Sequence, residues 1–180
     1  MSAHRIAVRY AKSLLDLAIE RGELDQVLHD MDQLKASLSS RDFYLMVKSP
    51  IISTGKKKVI FDRLFKDSLN KTVNSFLQIM VRKGRENLLP EIVDSFKEQY
   101  RTHKQISPVM LTTAVALDEK TIAQIKEKLI QSGQTEKNVE LLVKVDPSLI
   151  GGFRLEFEGK EYNTSLAYRL EEMRKQFSTN

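Results

Sequence analysis

The spacing of apolar residues changes near residue 105, and this change constrains the fold more than any other feature of the chain. Before it, apolar residues recur three and four positions apart, which is the spacing of amphipathic helices. After Ser107-Pro108, apolar and polar residues alternate over 139–145 and again over 153–157, as they do in half-buried strands. We therefore expect an α+β protein with an all-α half followed by a smaller mixed half.

Six helices are predicted in the first half, because Gly and Pro stand between the periodic segments rather than within them. Pro90 is tolerated because it would lie in the first turn of the sixth helix. The predicted helices are Arg5 to Arg21, Glu23 to Leu38, Arg41 to Val47, a helix capped by Ser53 or Thr54, Ser68 to Lys83, and Leu88 to His103.

The second half predicts the order β-α-β-β-α. Its elements are a strand from Val109 to Leu117, a helix capped by Asp118 and ended by Gly133, the two alternating strands, and a helix capped by Thr164 or Ser165. A tight turn at Gly159-Lys160 would lead into a further short strand around Glu161-Tyr162. Gly151-Gly152, between strands, predicts a bulge or a close backbone contact.

The residues that carry chemistry are scarce. The 180 residues include no Cys, which excludes disulfides, thiolate catalysis and Cys-ligated metals. His4, His29 and His103 fall in different predicted helices without partners at metal-like spacing. We expect no catalytic, cofactor-binding or metal site, and hence no enzyme. No apolar run approaches the roughly 18 residues of a membrane span, so direct membrane insertion is not expected either.

The charge pattern leaves one alternative class open. The net charge is +5, and Lys56-Lys57-Lys58 is the nearest approach to a basic block. A solvated helix start is the favoured interpretation of this block, ahead of a phosphate-binding patch. A basic helical protein that binds nucleic acid or associates with the ribosome remains the alternative, and it would show strongly salt-dependent binding.

The first and fifth helices are apolar over much of their surface, about 220° and 200° of arc at 100° per residue. Either both are central helices buried on two sides, or they lie side by side and form a groove for a partner's amphipathic helix. Periodicity does not decide between these, but a bundle of this size has little room for two central helices, which favours the groove.

The last helix carries a narrow apolar stripe, Leu166, Leu170, Met173 and Phe177. Docking of this stripe on the sheet of the same half is the favoured interpretation, and a seam for a partner helix is the alternative.

Several motifs then occur in a familiar order. They are RYAKSLLDLA at 9–18, Ser49-Pro50-Ile51, Lys83-Gly84-Arg85 with Leu88-Leu89-Pro90, VELLVKVDPSLIGGFRLEFE at 139–158, and Ser165-Leu166-x-x-Arg169-Leu170. Together they resemble the F-type ATP synthase delta subunit family, which includes the mitochondrial oligomycin-sensitivity-conferring protein. The chain departs from that family at Asn163, where Asp is usual, and at Tyr168, where a small residue is common.

The resemblance implies a non-catalytic stator subunit that links the α3β3 head to the peripheral stalk, so that torque is resisted during proton-driven ATP synthesis. It implies a six-helix bundle over 1–105 and a small α/β domain over 106–180. It also implies a peripheral location on the cytoplasmic side of a bacterial inner membrane and no nucleic-acid partner.

The same resemblance implies two partner sites. The bundle is expected to hold the N-terminal helix of the α subunit between its first and fifth helices, through Ala7, Tyr10, Leu14, Phe76, Ile79 and Met80. The second domain is expected to bind the C-terminal end of the b subunits through Leu166, Leu170, Met173 and Phe177. On this basis Phe76→Asp should release the head and leave the bundle folded.

Overall fold

The computed structural model describes residues 3–131, 135, 138–157 and 159–178. The expected α+β class is confirmed, with helices and a four-stranded mixed sheet. The chain divides into two compact units, Met1–Tyr100 and Arg101–Asn180. Gly133, the predicted helix end, and Glu158, the last residue of the longest motif, lie outside the described residues.

The first half is helical throughout its described length. Gly22 and Gly84 follow α1 and α5 with φ near +67° and +62°, the left-handed conformation that commonly ends a helix. The helices are α1 (Ala3–Glu20), α2 (Leu24–Leu38), α3 (Arg41–Lys48), α4 (Thr54–Phe65), α5 (Lys71–Arg82) and α6 (Leu89–Lys104), with a 3-10 turn at Glu86–Leu88.

The fifth helix begins at Lys71, three residues later than Ser68, where the pattern predicted it. Asn70 is the reason, because its side-chain Oδ1 accepts a hydrogen bond of 3.0 Å from the backbone N–H of Thr72. The backbone N–H of Asn70 itself donates to Oδ2 of Asp30 on α2 at 2.7 Å. The start of α5 is therefore fixed to a neighbouring helix.

The core of this unit accounts for most of the apolar surface of α1 and α5. Ala7, Ala11 and Ala18 are fully enclosed, and their small side chains let the neighbouring helices approach closely. The other core residues of these two helices are Leu14, Leu15, Val73, Phe76, Leu77, Met80 and Val81. Both helices thus pack on more than one side, as the central-helix interpretation expected.

The second half forms one sheet in the order β2-β1-β3-β4, in which β1 and β2 are parallel and the other pairs antiparallel. The short strand expected around Glu161-Tyr162 is present as the fourth strand. The elements are β1 (Ile106–Thr113), α7 (Glu119–Gln131), β2 (Asn138–Val145), a 3-10 turn (Pro147–Leu149), β3 (Phe153–Phe157), β4 (Lys160–Asn163) and α8 (Leu166–Ser178).

The prediction of β1 as Val109 to Leu117 is wrong at both ends, since the strand runs from Ile106 to Thr113 and includes Pro108. A proline in a central strand is unusual because it has no N–H to donate. Here the ladder between β1 and β3 covers only residues 110–113 of β1, so Pro108 lies beyond its end. The missing donor therefore breaks no bond of that ladder.

The small core of this unit lies between α7 and one face of the sheet. Val109, Val139 and Phe157 are buried there, and the partly buried Leu129, Leu141 and Leu155 pack against them. Among the helices in the described ranges of both units, none combines the length and the apolar character needed to cross a bilayer.

Candidate partner-binding surfaces

Four side chains from α1, α5 and the segment after α5 form what we call the α1–α5 surface: Tyr10, Phe76, Ile79 and Arg85. The rings of Tyr10 and Phe76 meet edge to face, with centroids 6.3 Å apart and planes at 70°. Arg85 Nη1 donates to the Tyr10 hydroxyl at 2.8 Å, and its guanidinium carbon lies 5.5 Å from the ring centroid. Ile79, one turn beyond Phe76, is 47% exposed.

The six residues predicted to bind the α subunit do not all reach this surface. Ala7, Leu14 and Met80 are enclosed within the bundle and can act only as support from beneath. Phe76 is 9% exposed, Tyr10 is half-buried, and Ile79 is the most open of the six. Whether this surface binds a partner stays a prediction, now concentrated on Tyr10, Ile79 and the edge of Phe76.

The sequence did not predict Arg85 as a site residue, although Arg85 belongs to the Lys83-Gly84-Arg85 motif. Its position over Tyr10 depends on the turn that follows α5, in which the Arg85 N–H donates to the carbonyl of Met80 at 2.9 Å. The motif signals that turn, but it does not say which helix the side chain meets.

Phe76 is a poor site for a test substitution. It belongs to the core cluster, where an aspartate would carry an uncompensated carboxylate into apolar surroundings. The expectation that Phe76→Asp leaves the bundle folded is therefore replaced by the expectation that it unfolds the bundle. Ile79 gives a cleaner test of the same surface.

The apolar stripe of α8 does not dock on the sheet, so the interpretation favoured from sequence is wrong. α8 packs instead near the 3-10 turn Pro147–Leu149. The exposed fractions of Leu166, Leu170, Met173 and Phe177 are 47%, 56%, 52% and 79%. A row of apolar side chains left this open on one helix is typical of a binding surface.

The beginning of α8 is held by the glycine pair, which confirms the predicted close backbone contact. A Cβ on Gly152 would lie 2.6 Å from the carbonyl oxygen of Thr164, and one on Gly151 would lie 2.8 Å from Leu166 Cδ1. The backbone N–H of Leu166 donates to the carbonyl of Gly151 at 3.0 Å. At Gly152, where φ is +77° and the facing atoms belong to the backbone, only glycine allows the chain before β3 to approach the start of α8 this closely.

Asn163, which stands where the family usually has Asp, still allows α8 to be capped. Oδ1 of Asn163 accepts from the N–H and the hydroxyl of Ser165 at 3.1 and 2.7 Å. Oγ of Ser165 in turn accepts from the N–H of Tyr168 at 3.2 Å, so Ser165 is the N-cap of α8. An amide oxygen here does what a carboxylate oxygen would do.

Asp146 fixes the turn near which α8 packs. Its Oδ1 accepts from the hydroxyl and the N–H of Ser148 at 2.6 and 3.0 Å. These hydrogen bonds, with smaller contributions from the charges of Lys144 and Arg154, hold the pKa of Asp146 below its ordinary value. The carboxylate is therefore charged at neutral pH and keeps the turn in place.

The basic block is only partly solvated. Lys56 and Lys58 are exposed as predicted, but Lys57 is 2% exposed, so the prediction is wrong for it. Lys57 Nζ lies 2.6 Å from Oε1 of the buried Glu86 and donates to the carbonyl of Val47 at 3.1 Å. The middle cation of the block is thus unavailable to a phosphate.

The three histidines lie on three different helices, α1, α2 and α6. His4, His29 and His103 are exposed, and Nε2 of His29 lies 3.0 Å from the side-chain nitrogen of Gln33. Within the ranges that the structure describes, no three or more His, Asp or Glu side chains are grouped to hold a metal ion.

Comparison with protein families and curated sequences gives a consistent result. The family described as ATP synthase delta (OSCP) subunit matches residues 6–177. The ATP synthase subunit delta of Cytophaga hutchinsonii is 33% identical over 99% of this chain and 97% of its own length. That of Amoebophilus asiaticus is 35% identical over 97% and 95%.

A solved structure shows the same fold. One chain of the cryo-EM structure of the Toxoplasma gondii mitochondrial ATP synthase hexamer has a TM-score of 0.70 to this chain. The match covers 95% of this chain and 96% of that one, at 20% identity. The fold is therefore retained where the sequence has largely diverged.

Proposed function

Because this chain belongs to the ATP synthase delta (OSCP) subunit family, we propose that its two exposed apolar surfaces bind two different parts of that enzyme complex. The chain is a non-catalytic structural subunit of ATP synthase, a stator that links the catalytic head to the peripheral stalk and so resists rotary torque. It associates peripherally with the complex. The observation that carries the proposal is that each unit leaves apolar side chains uncovered by its own core.

We assign the α1–α5 surface, in residues 1–105, to the N-terminal helix of the α subunit. An amphipathic helix binds by laying its apolar side into a complementary surface, and Tyr and Arg are over-represented among the residues that dominate such interfaces. The edge-to-face pair of Tyr10 and Phe76 gives this surface a rigid aromatic anchor. Arg85 places a cation beside it, which suits a carboxylate on the entering helix.

We assign the α8 stripe, in residues 106–180, to the C-terminal end of the b subunits. Its four residues lie at i, i+4, i+7 and i+11, the spacing of a seam between two helices. The glycine pair and the Ser165 cap fix where this helix starts, so the stripe is presented by a well-anchored element.

The bacterial relatives support a location on the cytoplasmic side of a bacterial inner membrane.

The substitution Ile79→Asp tests whether the α1–α5 surface binds the α subunit. Ile79 is exposed, so its replacement leaves the core intact. We expect binding of a synthetic peptide with the α subunit's N-terminal sequence to weaken about tenfold or more, since a charge would be buried at the interface. Tyrosine fluorescence reports the titration, because the chain has five Tyr and no Trp.

Val59→Asp is the matched control, since Val59 is 51% exposed on α4 of the same unit. It should bind the peptide as the parent chain does, and both variants should keep the parent's circular dichroism and melting temperature. Equal affinity of the parent, Ile79→Asp and Val59→Asp would show that the α subunit binds elsewhere.

A further inference from the structure

A cavity of about 280 Å³ lies between α7 and the sheet of the second unit. Leu111 of β1 and Leu155 of β3 face each other across their ladder and form the wall on the side of the sheet. Ile125 and Leu129, one turn apart on α7, form the opposite wall. The described residues that line the cavity are Leu111, Ile125, Lys128, Leu129, Phe153 and Leu155. None of them belongs to the α1–α5 surface or to the α8 stripe.

The helix above this cavity is lightly packed. None of the 13 residues of α7 is buried, and Leu129 is only partly buried where it packs against the small core. Phe153, at the end of β3 that begins the strand, is 38% exposed. Protein interiors are normally close-packed, so helix and sheet here lack contacts that a ligand in the cavity would supply.

Lys128 gives the cavity one positive charge. It is exposed and follows Ile125 by three positions, so both side chains lie on the same side of α7. Its aliphatic stem can therefore line the cavity while its ammonium group stays in water. In the described ranges no Asp or Glu forms an ion pair with Lys128. An uncompensated cation beside an apolar cavity is complementary to a carboxylate at the end of an apolar chain.

We propose that this cavity binds a medium-chain fatty acid, with its chain between α7 and the sheet and its carboxylate on Lys128. The volume of about 280 Å³ lies near the lower end of the range for small-molecule sites. At about 30 Å³ for a group the size of a water molecule, the cavity holds roughly nine such groups. Octanoate, which has about ten non-hydrogen atoms, matches that size. One ammonium group also suits the single charge of a carboxylate better than the double charge of a phosphate monoester.

Calorimetric titration of the full chain with sodium octanoate tests the proposal. We expect one site with a Kd of roughly 0.1–1 mM, the affinity range of a ligand this small. Lys128→Met should weaken octanoate binding about tenfold, because the charge-assisted contact is lost. The same variant should bind 1-octanol, which carries no charge, as the parent chain does.

Lys126→Met is the matched control, because Lys126 is also exposed on α7 but does not line the cavity. It should bind octanoate with the affinity of the parent chain. A parent chain that does not bind octanoate, or equal octanoate affinity of Lys128→Met and Lys126→Met, would overturn the proposal.

Methyl NMR of the parent chain locates the ligand without any substitution. Octanoate should shift the methyl signals of Ile125, Leu129 and Leu155, which line the cavity. The methyl signals of Leu170 and Met173 on α8 should not move. Shifts confined to those two residues would place the fatty acid on the α8 stripe and contradict the proposal.

Discussion

At the scale of single residues, Asp30 shows how one buried carboxylate positions an element. Burial is the main reason why the pKa of Asp30 lies above its ordinary value near 3.8, while the hydrogen bond from the Asn70 N–H and the charge of His29 act in the opposite direction. The folded chain therefore holds this proton more tightly than the unfolded chain. Between the ordinary and the raised pKa, the contribution of Asp30 to stability falls as the pH rises.

Two substitutions separate the hydrogen bond of Asp30 from its charge. Asp30→Asn keeps an oxygen for the Asn70 N–H, so its free energy of unfolding relative to the parent should improve as the pH rises through that window. Asp30→Ala leaves that N–H without its acceptor and should cost about 1 kcal/mol. Denaturant unfolding at several pH values measures both. If the free energies of unfolding of the parent and of Asp30→Asn changed with pH in the same way, the raised pKa of Asp30 would be contradicted.

Lys57 and Glu86 are a second residue-scale case. Glu86 Oε2 has no hydrogen-bond partner among the described residues, so the carboxylate depends on Lys57 for compensation. Lys57→Met should therefore cost about 3–5 kcal/mol, because it leaves a buried charge unpaired. The double variant Lys57→Met, Glu86→Met should cost much less than that single change, since two apolar side chains replace the pair.

Lys58→Met, at an exposed neighbouring position, is the control for the loss of one positive charge. Denaturant midpoints of these three variants and the parent complete the measurement. If Lys57→Met and Lys58→Met shift the midpoint equally, the buried pair contributes nothing of its own.

At the scale of elements, glycine positions decide how the chain enters α8. Gly152 and Gly159 both have positive φ, +77° and +73°, but only Gly152 faces a close backbone atom. Gly159→Ala should cost about 1–2 kcal/mol from backbone strain alone. Gly152→Ala adds a clash with the Thr164 carbonyl and should cost clearly more. Thermal unfolding measures the loss of stability in each variant. Equal losses would mean that the close approach of Gly152 to the Thr164 carbonyl adds nothing to the cost.

The element types were predictable because each depends on a pattern within about fifteen residues, whereas several boundaries depend on distant partners. The start of α5 at Lys71 requires Asp30 to lie beside Asn70, which no local pattern reveals. The extension of β1 through Pro108 depends on how short its ladder with β3 is. The position of Lys57 likewise follows from Glu86, far along the sequence.

The candidate surfaces were predictable only in part. The stripe of α8 is visible as a spacing, but its exposure depends on α8 packing near a turn instead of on the sheet. The wide apolar arcs of α1 and α5 were interpreted as a groove, yet Ala7, Leu14 and Met80 serve the core. Periodicity reports how much of a helix is apolar, and it does not report what covers it.

At the scale of the whole molecule, a stator that uses the two proposed surfaces has to bind both partners at once. Leu170→Asp on α8 should abolish co-purification with the b subunits while leaving binding of the α subunit peptide unchanged, because the two surfaces belong to separate units. Val115→Asp, at a 67% exposed position in the same unit but outside α8, is the control and should retain both partners. Pull-down from the native membrane fraction measures this, and retention of the b subunits by Leu170→Asp would exclude the stripe as their site.

The enclosed Lys57 gives three consecutive lysines very different chemical reactivity. Reagents that acylate amines, and acetylating agents in the cell, reach the Nζ atoms of Lys56 and Lys58 directly. They reach Lys57 only when α4 separates from the segment that carries Glu86. The extent to which Lys57 is modified therefore measures how often the bundle opens. The modification of Lys56 and Lys58 is the internal standard.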